Sequence, residues 1–252
     1  MTIDRPLDHQ MNNLRTLWKE AFGDTDEFLD TFFSTAFSAD RCRCVTSNHS
    51  VVAVLYWFDC FYEDQKLAYV YAVATACSHR GQGFSHKLME NTHAHLKSLG
   101  YDGVLLVPGS ESLFHFYESM GYQTCTHIQE FSCEAKKEDT RIQEINHLEY
   151  AQLRPQYLPS GSVIQEQENL DFLNAQARFY AGDDFLLAAS LRGNRLFGIE
   201  LLGDTSVAPQ ILNTLGYKKG TFRSPGCERP FAMYYPLKKA DAFPSYFGFA
   251  FD

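Results

Sequence analysis

The sequence lacks an excess of positive charge. Its 252 residues include 22 lysines and arginines against 31 aspartates and glutamates, which gives a formal net charge of -9. A protein that binds nucleic acid usually shows a basic surplus or a clustered basic stripe, and this sequence has neither. We therefore expect no nucleic-acid partner.

Long apolar segments are also missing. The longest two, residues 51–58 and 67–74, have eight residues each, whereas a helix that spans a membrane needs about 20. The first ten residues, MTIDRPLDHQ, contain acidic side chains and a proline where a signal peptide has basic and then apolar residues. The sequence therefore predicts a cytoplasmic protein that has no membrane partner.

Cysteine pairs with metal-binding spacing are a third absence. The seven cysteines are odd in number and include no CxxC pair. That spacing is common in zinc sites. Cys42 and Cys44 would lie on one face of a strand, in a poor geometry for a disulfide. We expect no metal, and cysteines that stay reduced and behave as small apolar side chains.

The apolar content is sufficient for a packed core, because 45% of the residues are hydrophobic and 15% are aromatic. Their spacing alternates between helical and extended periods, which is typical of an α/β protein. The predicted helices cover residues 14–22, 28–37, 84–100 and 110–120, and the predicted strands cover residues 41–46, 51–61, 67–77, 103–107 and 122–134.

A charged connector, residues 136–139, marks a predicted boundary between a first domain, residues 1–136, and a second, residues 137–252. Beyond it the sequence repeats itself, because residues 198–221 align with residues 103–126 at an offset of 95. Both copies predict a strand, a turn, a helix, a Gly-Tyr pair and a strand. The second domain is therefore predicted to be a smaller, partial copy of the first.

The most informative turn lies within residues 73–85, VATACSHRGQGFS. A predicted strand leads into an Arg-Gly-x-Gly turn, which opens a predicted helix. Backbone N–H groups at such a turn, the helix dipole and the Arg80 guanidinium all favour an anion, and a pyrophosphate is the natural ligand. The third glycine of a dinucleotide fingerprint and the Lys-Ser/Thr pair of a P-loop are absent. An ordinary tight turn is the alternative.

The order of elements around this turn resembles the GNAT superfamily of acyl-CoA-dependent N-acyltransferases. The pattern R-x-x-G-x-S at residues 80–85 is similar to the family's turn for the pyrophosphate of coenzyme A, and Y-x-x-x-G-Y at residues 117–122 is similar to its later helix end. The resemblance covers residues 8–134. Three positions depart from the family pattern, namely Ser85 in place of Gly or Ala, Cys77 in place of Pro, and Ser110 in place of Asn.

The resemblance implies a GNAT-type mixed central sheet flanked by helices, followed by a degenerate GNAT-like α/β domain. It also implies that acetyl-CoA binds as co-substrate, with its pantetheine beside the strand end and its pyrophosphate at the turn. An amine would attack the thioester while a backbone N–H stabilises the oxyanion. The implied coenzyme-binding residues are Val73, Ala74, Thr75, Arg80, Gly81, Gln82, Gly83, Phe84 and Ser85.

Tyr117 is the catalytic residue that the resemblance implies. A phenol is protonated at neutral pH and can protonate a leaving thiolate. The alternative is a packing role, because Phe114 and Phe116 lie beside Tyr117 on the predicted helix. No general base is evident. The glutamates nearest in sequence are expected to be solvated, as surface acids usually are; they are Glu111, Glu118 and Glu130.

The second domain lacks both features. Residues 192–194, Arg-Gly-Asn, join two apolar runs and predict a hairpin turn rather than a phosphate turn. Leu212 occupies the position that matches Tyr117 in the alignment of the two copies. We therefore expect one coenzyme site per chain.

These patterns predict an acetyl-CoA-dependent N-acetyltransferase that acts on a primary amine of a small molecule or peptide. The acidic balance favours a cationic acceptor. Two alternatives stay open, namely a non-catalytic acyl-CoA-binding regulatory module and a structural protein that binds no coenzyme. A homo-oligomer is a further open alternative.

The last twelve residues, 241–252, contain five aromatic rings. Leaving them in water would cost about 25 cal/mol per Å² of apolar surface, so we expect this tail to dock on its own chain or on a partner subunit. Some tandem GNAT enzymes that the chain resembles place their C-terminal carboxylate in the catalytic cleft as the base. The resemblance thus implies the hypothesis that the Asp252 terminus approaches Tyr117.

Overall fold

The computed structural model describes residues 1–239 and 242–251. Helices are interspersed with runs of strands along the chain, which fits the α/β prediction. The helices are α1 (Met11–Phe22), α2 (Asp26–Thr35), α3 (Phe84–Ser98), α4 (Glu111–Glu118), α5 (His147–Tyr157), α6 (Glu168–Asn174) and α7 (Ala208–Thr214). The strands are β1 (Thr2–Asp4), β2 (Cys42–Ser47), β3 (Ser50–Tyr62), β4 (Gln65–Thr75), β5 (Gly103–Leu106), β6 (Gln123–Thr124), β7 (His127–Glu134), β8 (Ile142–Ile145), β9 (Ile164–Gln165), β10 (Arg178–Gly182), β11 (Phe185–Arg192), β12 (Arg195–Gly203), β13 (Lys219–Pro225), β14 (Arg229–Pro230) and β15 (Met233–Pro236).

The chain divides into two compact units. The first unit holds Met1–Gln123 together with the segment that begins at Met233. The second unit holds Thr124–Ala232 together with the segment that begins at Ala242. Each unit is built around its own sheet.

The sheet of the first unit has the strand order β1-β2-β3-β4-β5-β15-β6. Strands β4 and β5 are parallel, and β15 runs antiparallel to β5. Successive side chains of a strand point to opposite faces, and Trp57 packs with Leu88 and Leu96 of α3 in one core cluster. Its neighbour Tyr56 instead contacts Trp18 of α1 and Phe32 of α2, with ring centroids 5.2 and 5.1 Å away.

Local signals set the ends of α1 and α2, which the sequence predicts. Gly23 ends α1 in the left-handed region, with φ of 76°, a conformation that glycine adopts readily. The Thr25 side chain then caps α2 by accepting the Phe28 N–H at 3.2 Å. Both helices therefore begin or end where short-range chemistry requires.

A β-bulge interrupts the pairing of β3 with β4. Val54 pairs with Ala74 and Tyr56 pairs with Tyr71, so one residue of β3 faces two residues of β4. One of these two, Ala72, has a φ of 50°, which a non-glycine residue adopts at a cost of about 1 kcal/mol. The bulge bends β4 shortly before the strand ends.

The sheet of the second unit has the order β14-β7-β13-β12-β11-β10-β8. The predicted hairpin is confirmed, because Arg192 of β11 pairs with Arg195 of β12 and Gly193 has a φ of 62°. Helix α7 covers one face of this sheet, where Ile211 and Leu212 join a buried cluster. The second copy of the sequence repeat therefore folds as a strand, a turn, a helix and a strand, as predicted.

One predicted strand is wrong in its extent. Residues 122–134 form β6 and β7 rather than one continuous strand. The N–H groups of Cys125 and Thr126 both donate to the carbonyl oxygen of Ala232, at 3.0 and 3.3 Å. These bonds turn the backbone away from the extended path that its alternating sequence predicts.

The two units also divide the chain differently from the predicted boundary at residue 136. Strand β7 pairs with β13 and so belongs to the second unit, while β15 pairs with β5 and so belongs to the first. The ranges 1–136, for a GNAT-type domain, and 137–252, for a degenerate second domain, stay a prediction. They do not describe the compact units.

The C-terminal tail docks within the second unit, as predicted, but not all of its rings are covered, because Phe243 is 45% exposed. Tyr246, Phe247 and Phe249 are buried. The Gln165 side chain accepts the Phe249 N–H at 2.9 Å and donates to the Phe249 carbonyl oxygen at 2.8 Å. A Cβ at Gly248 would overlap the Glu200 carboxylate, so the close approach of the tail requires glycine there.

A buried ion pair lies against the tail. The Nε and Nη2 atoms of Arg154 donate to the two carboxylate oxygens of Glu200 at 2.8 and 2.9 Å. The hydroxyls of Tyr150 and Tyr246 donate to the same carboxylate at 2.6 and 3.0 Å. Four hydrogen bonds thus compensate a carboxylate that is fully buried.

Candidate active site

The end of strand β4 is open on the side that faces β5. In the described part of the chain β4 pairs with β5 only from Leu67 to Tyr69, yet β4 continues to Thr75. The two parallel strands therefore separate, and the last backbone groups of β4 lack a strand partner on that side. An open strand edge can pair with an extended ligand that carries amide groups.

The turn after β4 presents its backbone to open space. Gly81 and Gly83 have φ angles of 73° and 76°, in the left-handed region that favours glycine. Apart from the glycine itself and its two chain neighbours, no described residue has an atom within 4 Å of the place that a Cβ would take at either glycine. Helix α3 begins next, at Phe84, and the first N–H groups of a helix have no acceptor within it. The turn therefore suits an anion.

Side chains hold this turn against the end of β4. The hydroxyls of Thr75 and Ser85 are hydrogen-bonded at 2.8 Å. Arg80 donates from Nε to the carbonyl oxygen of Thr75 at 3.2 Å, and Gln82 donates from Nε2 to the carbonyl oxygen of Ser78, also at 3.2 Å. Ser85, where the sequence departs from the family pattern, thus has its hydroxyl satisfied by the last residue of β4.

The Y-x-x-x-G-Y pattern forms the end of helix α4. The Tyr122 N–H donates to the Tyr117 carbonyl oxygen at 3.1 Å, and the Gly121 N–H donates to the Glu118 carbonyl oxygen at 2.9 Å. With a φ of 93° at Gly121, this arrangement is a Schellman motif. The motif brings the rings of Tyr117 and Tyr122 into contact, with centroids 5.6 Å apart.

Tyr117 lies in the same packed cluster as Val73 of β4 and Phe84 of α3. Its side chain is 6% exposed, and burial raises the pKa of its phenol to about 12. The phenol therefore stays protonated throughout the physiological pH range. The structure brings the predicted catalytic residue, the strand end and the turn together on one side of the first sheet.

Two aromatic residues and a histidine support this helix end. The Tyr122 hydroxyl is hydrogen-bonded to Nε2 of His93 at 2.7 Å, and the His93 ring stacks on Tyr235 of β15 at 4.3 Å. Burial lowers the pKa of His93 to about 4, with a smaller contribution from His86. His93 is therefore neutral at neutral pH.

The structure does not single out a general base among the three glutamates named from the sequence. Glu118 pairs with His115 at 3.1 Å, Glu130 pairs with Arg223 at 2.9 Å, and Glu111 is exposed in the first turn of α4. The hypothesis about the terminus concerns Asp252, which lies outside the described residues. It stays a prediction.

Sequence reasoning missed three side chains that shape this region. His93 and Tyr235 support the end of α4, and Glu20 of α1 accepts the N–H of Cys77 just before the turn. The partners are far apart in the sequence, so no local spacing indicates these contacts. Tyr235 in particular comes after the Thr124–Ala232 segment of the second unit.

Comparison with known proteins identifies the family of this region. Residues 2–125 match the family model described as Acetyltransferase (GNAT) domain. No curated protein matches the chain.

Solved structures share the fold at low sequence identity. The chain is similar to a GCN5-related N-acetyltransferase from Kribbella flavida, with 14% identity and a TM-score of 0.69 over 94% of this chain and 72% of that chain. It is similar to another from Anabaena variabilis ATCC 29413, with 13% identity and a TM-score of 0.71 over 94% of this chain and 73% of that chain. It is also similar to Eis1 from Mycobacterium abscessus, with 10% identity and a TM-score of 0.67 over 94% of this chain and 74% of that chain.

The open strand end, the glycine turn and the family match together define an acyltransferase of the N-acetyltransferase class. Residues 2–125 are a GNAT acetyltransferase domain. The predicted family resemblance and fold class are confirmed, and the two sheets fit a tandem form. Across residues 1–239 and 242–251, no helix is long and apolar enough to cross a membrane.

Proposed function

We propose that this protein transfers an acetyl group from acetyl-CoA to a primary amine of a small molecule or peptide. One observation carries the proposal, namely that the open end of β4 runs directly into the turn at Gly81 and Gly83. A ligand with an amide-bearing arm and a pyrophosphate at one end matches these two features in that order. Coenzyme A has this chemistry.

The residues of the first unit fit such a ligand. We expect the backbone groups of Val73 and Thr75 to pair with the pantetheine amides, with Ala74 between them in contact with the same arm. The N–H groups of the turn and the N-terminus of α3 suit the pyrophosphate, and Arg80 adds a charged donor. Bound acetyl-CoA supplies the thioester that an amine can attack. The turn residues of this set are Gly81, Gln82, Gly83, Phe84 and Ser85.

We assign Tyr117 the role of general acid. Because burial raises its pKa, the phenol holds a proton that it can give to the leaving thiolate. Its packing with Val73 and Phe84 in one cluster supports this role. The acceptor is proposed to be cationic overall, which the net charge of -9 favours.

Two measurements test the proposal. Titration calorimetry with coenzyme A should find one site per chain. The Arg-Gly-Asn loop between β11 and β12 is a hairpin turn, followed by a strand rather than by a helix whose N-terminus could bind a phosphate. Thiol release from acetyl-CoA, measured across a panel of amines and basic peptides, should show turnover with a subset of them. Binding without any turnover would support the regulatory module instead, and absence of binding would contradict the coenzyme site.

The variant Arg80→Ala tests where the phosphates lie. Loss of a hydrogen bond to a charged group should weaken coenzyme A binding by about ten- to hundredfold. Arg141→Ala serves as the matched control, because Arg141 is an exposed arginine of the second unit. An unchanged affinity in Arg80→Ala would show that the phosphates bind elsewhere.

A further inference from the structure

One carboxylate outside the predicted site contacts the segment that leads into the coenzyme turn. Glu20 lies near the end of α1, and its Oε1 atom accepts the backbone N–H of Cys77 at 2.6 Å, across 57 residues of sequence. Cys77 is the second residue after β4 and the third before Arg80. Helix α1 is therefore hydrogen-bonded to the chain at the point where the strand becomes the turn.

The Glu20 contact joins a set of short bonds that define the path of this segment. The Ala76 N–H donates to the Val52 carbonyl oxygen at 2.9 Å, which continues the strand by one residue, and the His79 N–H donates back to the Ala76 carbonyl oxygen at 2.8 Å. Between these two bonds, the Cys77 N–H points to Glu20. Without that carboxylate the Cys77 N–H, on an exposed residue, would be left to water.

The carboxylate of Glu20 is charged in its position. The hydrogen bond from the Cys77 N–H lowers the pKa of Glu20 below its usual value, and the charge of Arg80 contributes further. Glu20 therefore acts on the turn in two ways of opposite sign. Its hydrogen bond fixes the backbone, while its negative charge disfavours an anion that binds near Arg80.

We propose that Glu20 is a positioning residue for the coenzyme turn, holding the backbone between β4 and Arg80 in the conformation that receives the pyrophosphate. This inference rests on the proposed function, because it assigns the turn to coenzyme A. It goes further in making α1, an element outside the turn motif, a determinant of coenzyme affinity.

Two substitutions at Glu20 separate its hydrogen bond from its charge. Glu20→Ala removes both, and the loss of one hydrogen bond should make its coenzyme A binding about three- to tenfold weaker than that of Glu20→Gln, which also lacks the charge. Glu20→Gln keeps a carbonyl oxygen that can accept the Cys77 N–H and removes the charge, so its affinity should equal or exceed that of the unchanged protein. Glu27→Ala, an exposed acid of α2, is the control and should bind as the unchanged protein does.

The experiment compares two acetyl donors for each variant. Acetyl-CoA carries the pyrophosphate, whereas S-acetylpantetheine lacks it. A positioning role in the turn predicts that Glu20→Ala raises KM for acetyl-CoA and leaves kcat and the KM for S-acetylpantetheine unchanged. A general structural role would instead raise KM for both donors alike. It would also lower the thermal unfolding midpoint of the variant.

The outcomes distinguish this inference from the proposed function. Equal coenzyme A affinity for the unchanged protein, Glu20→Ala and Glu20→Gln would overturn the role of Glu20 and leave the proposed function standing. Weakened binding in Glu20→Gln equal to that in Glu20→Ala would also overturn it, because the hydrogen bond would then not be the cause. Failure of the unchanged protein to bind coenzyme A would remove both.

Discussion

Helices α4 and α7 end in the same way but hold different side chains at the same position. In α7 the Tyr217 N–H donates to the Leu212 carbonyl oxygen at 2.8 Å, and Gly216 has a φ of 79°. In α4 the Tyr122 N–H donates to Tyr117 in the same way, and Gly121 takes the place of Gly216. Both ends are Schellman motifs. The two helix ends thus share their backbone structure. They differ in the side chain at the matching position, which is the phenol of Tyr117 in α4 and the fully buried Leu212 in α7.

A second difference lies on the strands that precede these helices. Leu105 of β5 and Glu200 of β12 occupy the same position in the sequence alignment of the two copies. Both side chains are fully buried. Leu105 lies in an apolar strand, whereas Glu200 bonds Arg154 and holds the C-terminal tail. One repeated frame therefore carries Tyr117 in the first unit and the buried polar anchor at Glu200 in the second.

The largest expected effect tests the phenol itself. Tyr117→Phe keeps the ring and its packing but removes the proton, so kcat should fall by about 10²–10⁴-fold while thermal unfolding stays unchanged. Leu212→Met, the matched change in the second copy, conserves volume and should leave kcat unchanged. Thiol release measures both variants. Full turnover in Tyr117→Phe would show that Tyr117 only packs, as Leu212 does.

The next effect tests the buried anchor. Glu200→Gln leaves the Arg154 charge buried without its partner, and the free energy of unfolding should fall by about 3–5 kcal/mol. The double change Arg154→Met with Glu200→Leu should cost less than Glu200→Gln alone, because no charge is left uncompensated. Urea unfolding followed by circular dichroism measures both. A double variant less stable than Glu200→Gln would contradict this account.

A smaller effect concerns how stability depends on pH through His93, whose hydrogen bond to Tyr122 supports the end of α4. The folded-state pKa of His93 is about 4 against an ordinary value near 6.5. The unfolded chain therefore takes up the proton first as the pH falls, so the contribution of His93 to stability is full above about pH 6.5 and declines towards pH 4. The total loss is about 3 kcal/mol at most.

His93→Gln should remove this part of the acid sensitivity while keeping a hydrogen-bonding group for Tyr122. Urea unfolding at a series of pH values between 7 and 4 measures the slope. His115→Gln, on the exposed side of α4, should keep the slope of the unchanged protein. Identical slopes for the His93 variant and the unchanged protein would mean that His93 titrates normally.

The smallest effect compares the two glycines. Alanine at Gly216 is strained by its positive φ alone, at about 1 kcal/mol, because beyond its two chain neighbours no described residue lies within 4 Å of the added Cβ. Alanine at Gly121 carries the same strain, and its Cβ would also lie 3.2 Å from the Tyr235 ring. We expect Gly121→Ala to lower the thermal midpoint more than Gly216→Ala does. The reverse order would show that the ring yields freely.

Short-range chemistry explains which parts of the fold the sequence could predict. The end of α1 at Gly23, the cap at Thr25 and the hairpin at Gly193 each depend on residues within a few positions of one another. The path of β15 depends on β5, which lies far back in the chain. No periodicity in residues 233–236 indicates that partner, so the predicted domain boundary could not include it.

The same reasoning applies to the candidate site. The strand, the turn and the helix that follow one another over residues 73–85 were predictable because their order is contiguous in the sequence. The contact between Glu20 and Cys77, like the stacking of Tyr235 on His93, joins elements that only the folded chain brings together. Sequence patterns therefore indicated the glycine turn, but not the contact from α1 or the stacking behind α4.

The position of β15 has a consequence for how the protein is made. A ribosome adds about 5–20 residues per second, so about ten seconds separate the synthesis of β5 from that of the strand that covers its edge. During that interval the first sheet exposes an unpaired edge, of the kind that promotes pairing with other chains. A nascent chain stalled before Met233 would thus be prone to aggregate, although every residue of the glycine turn has already been synthesised.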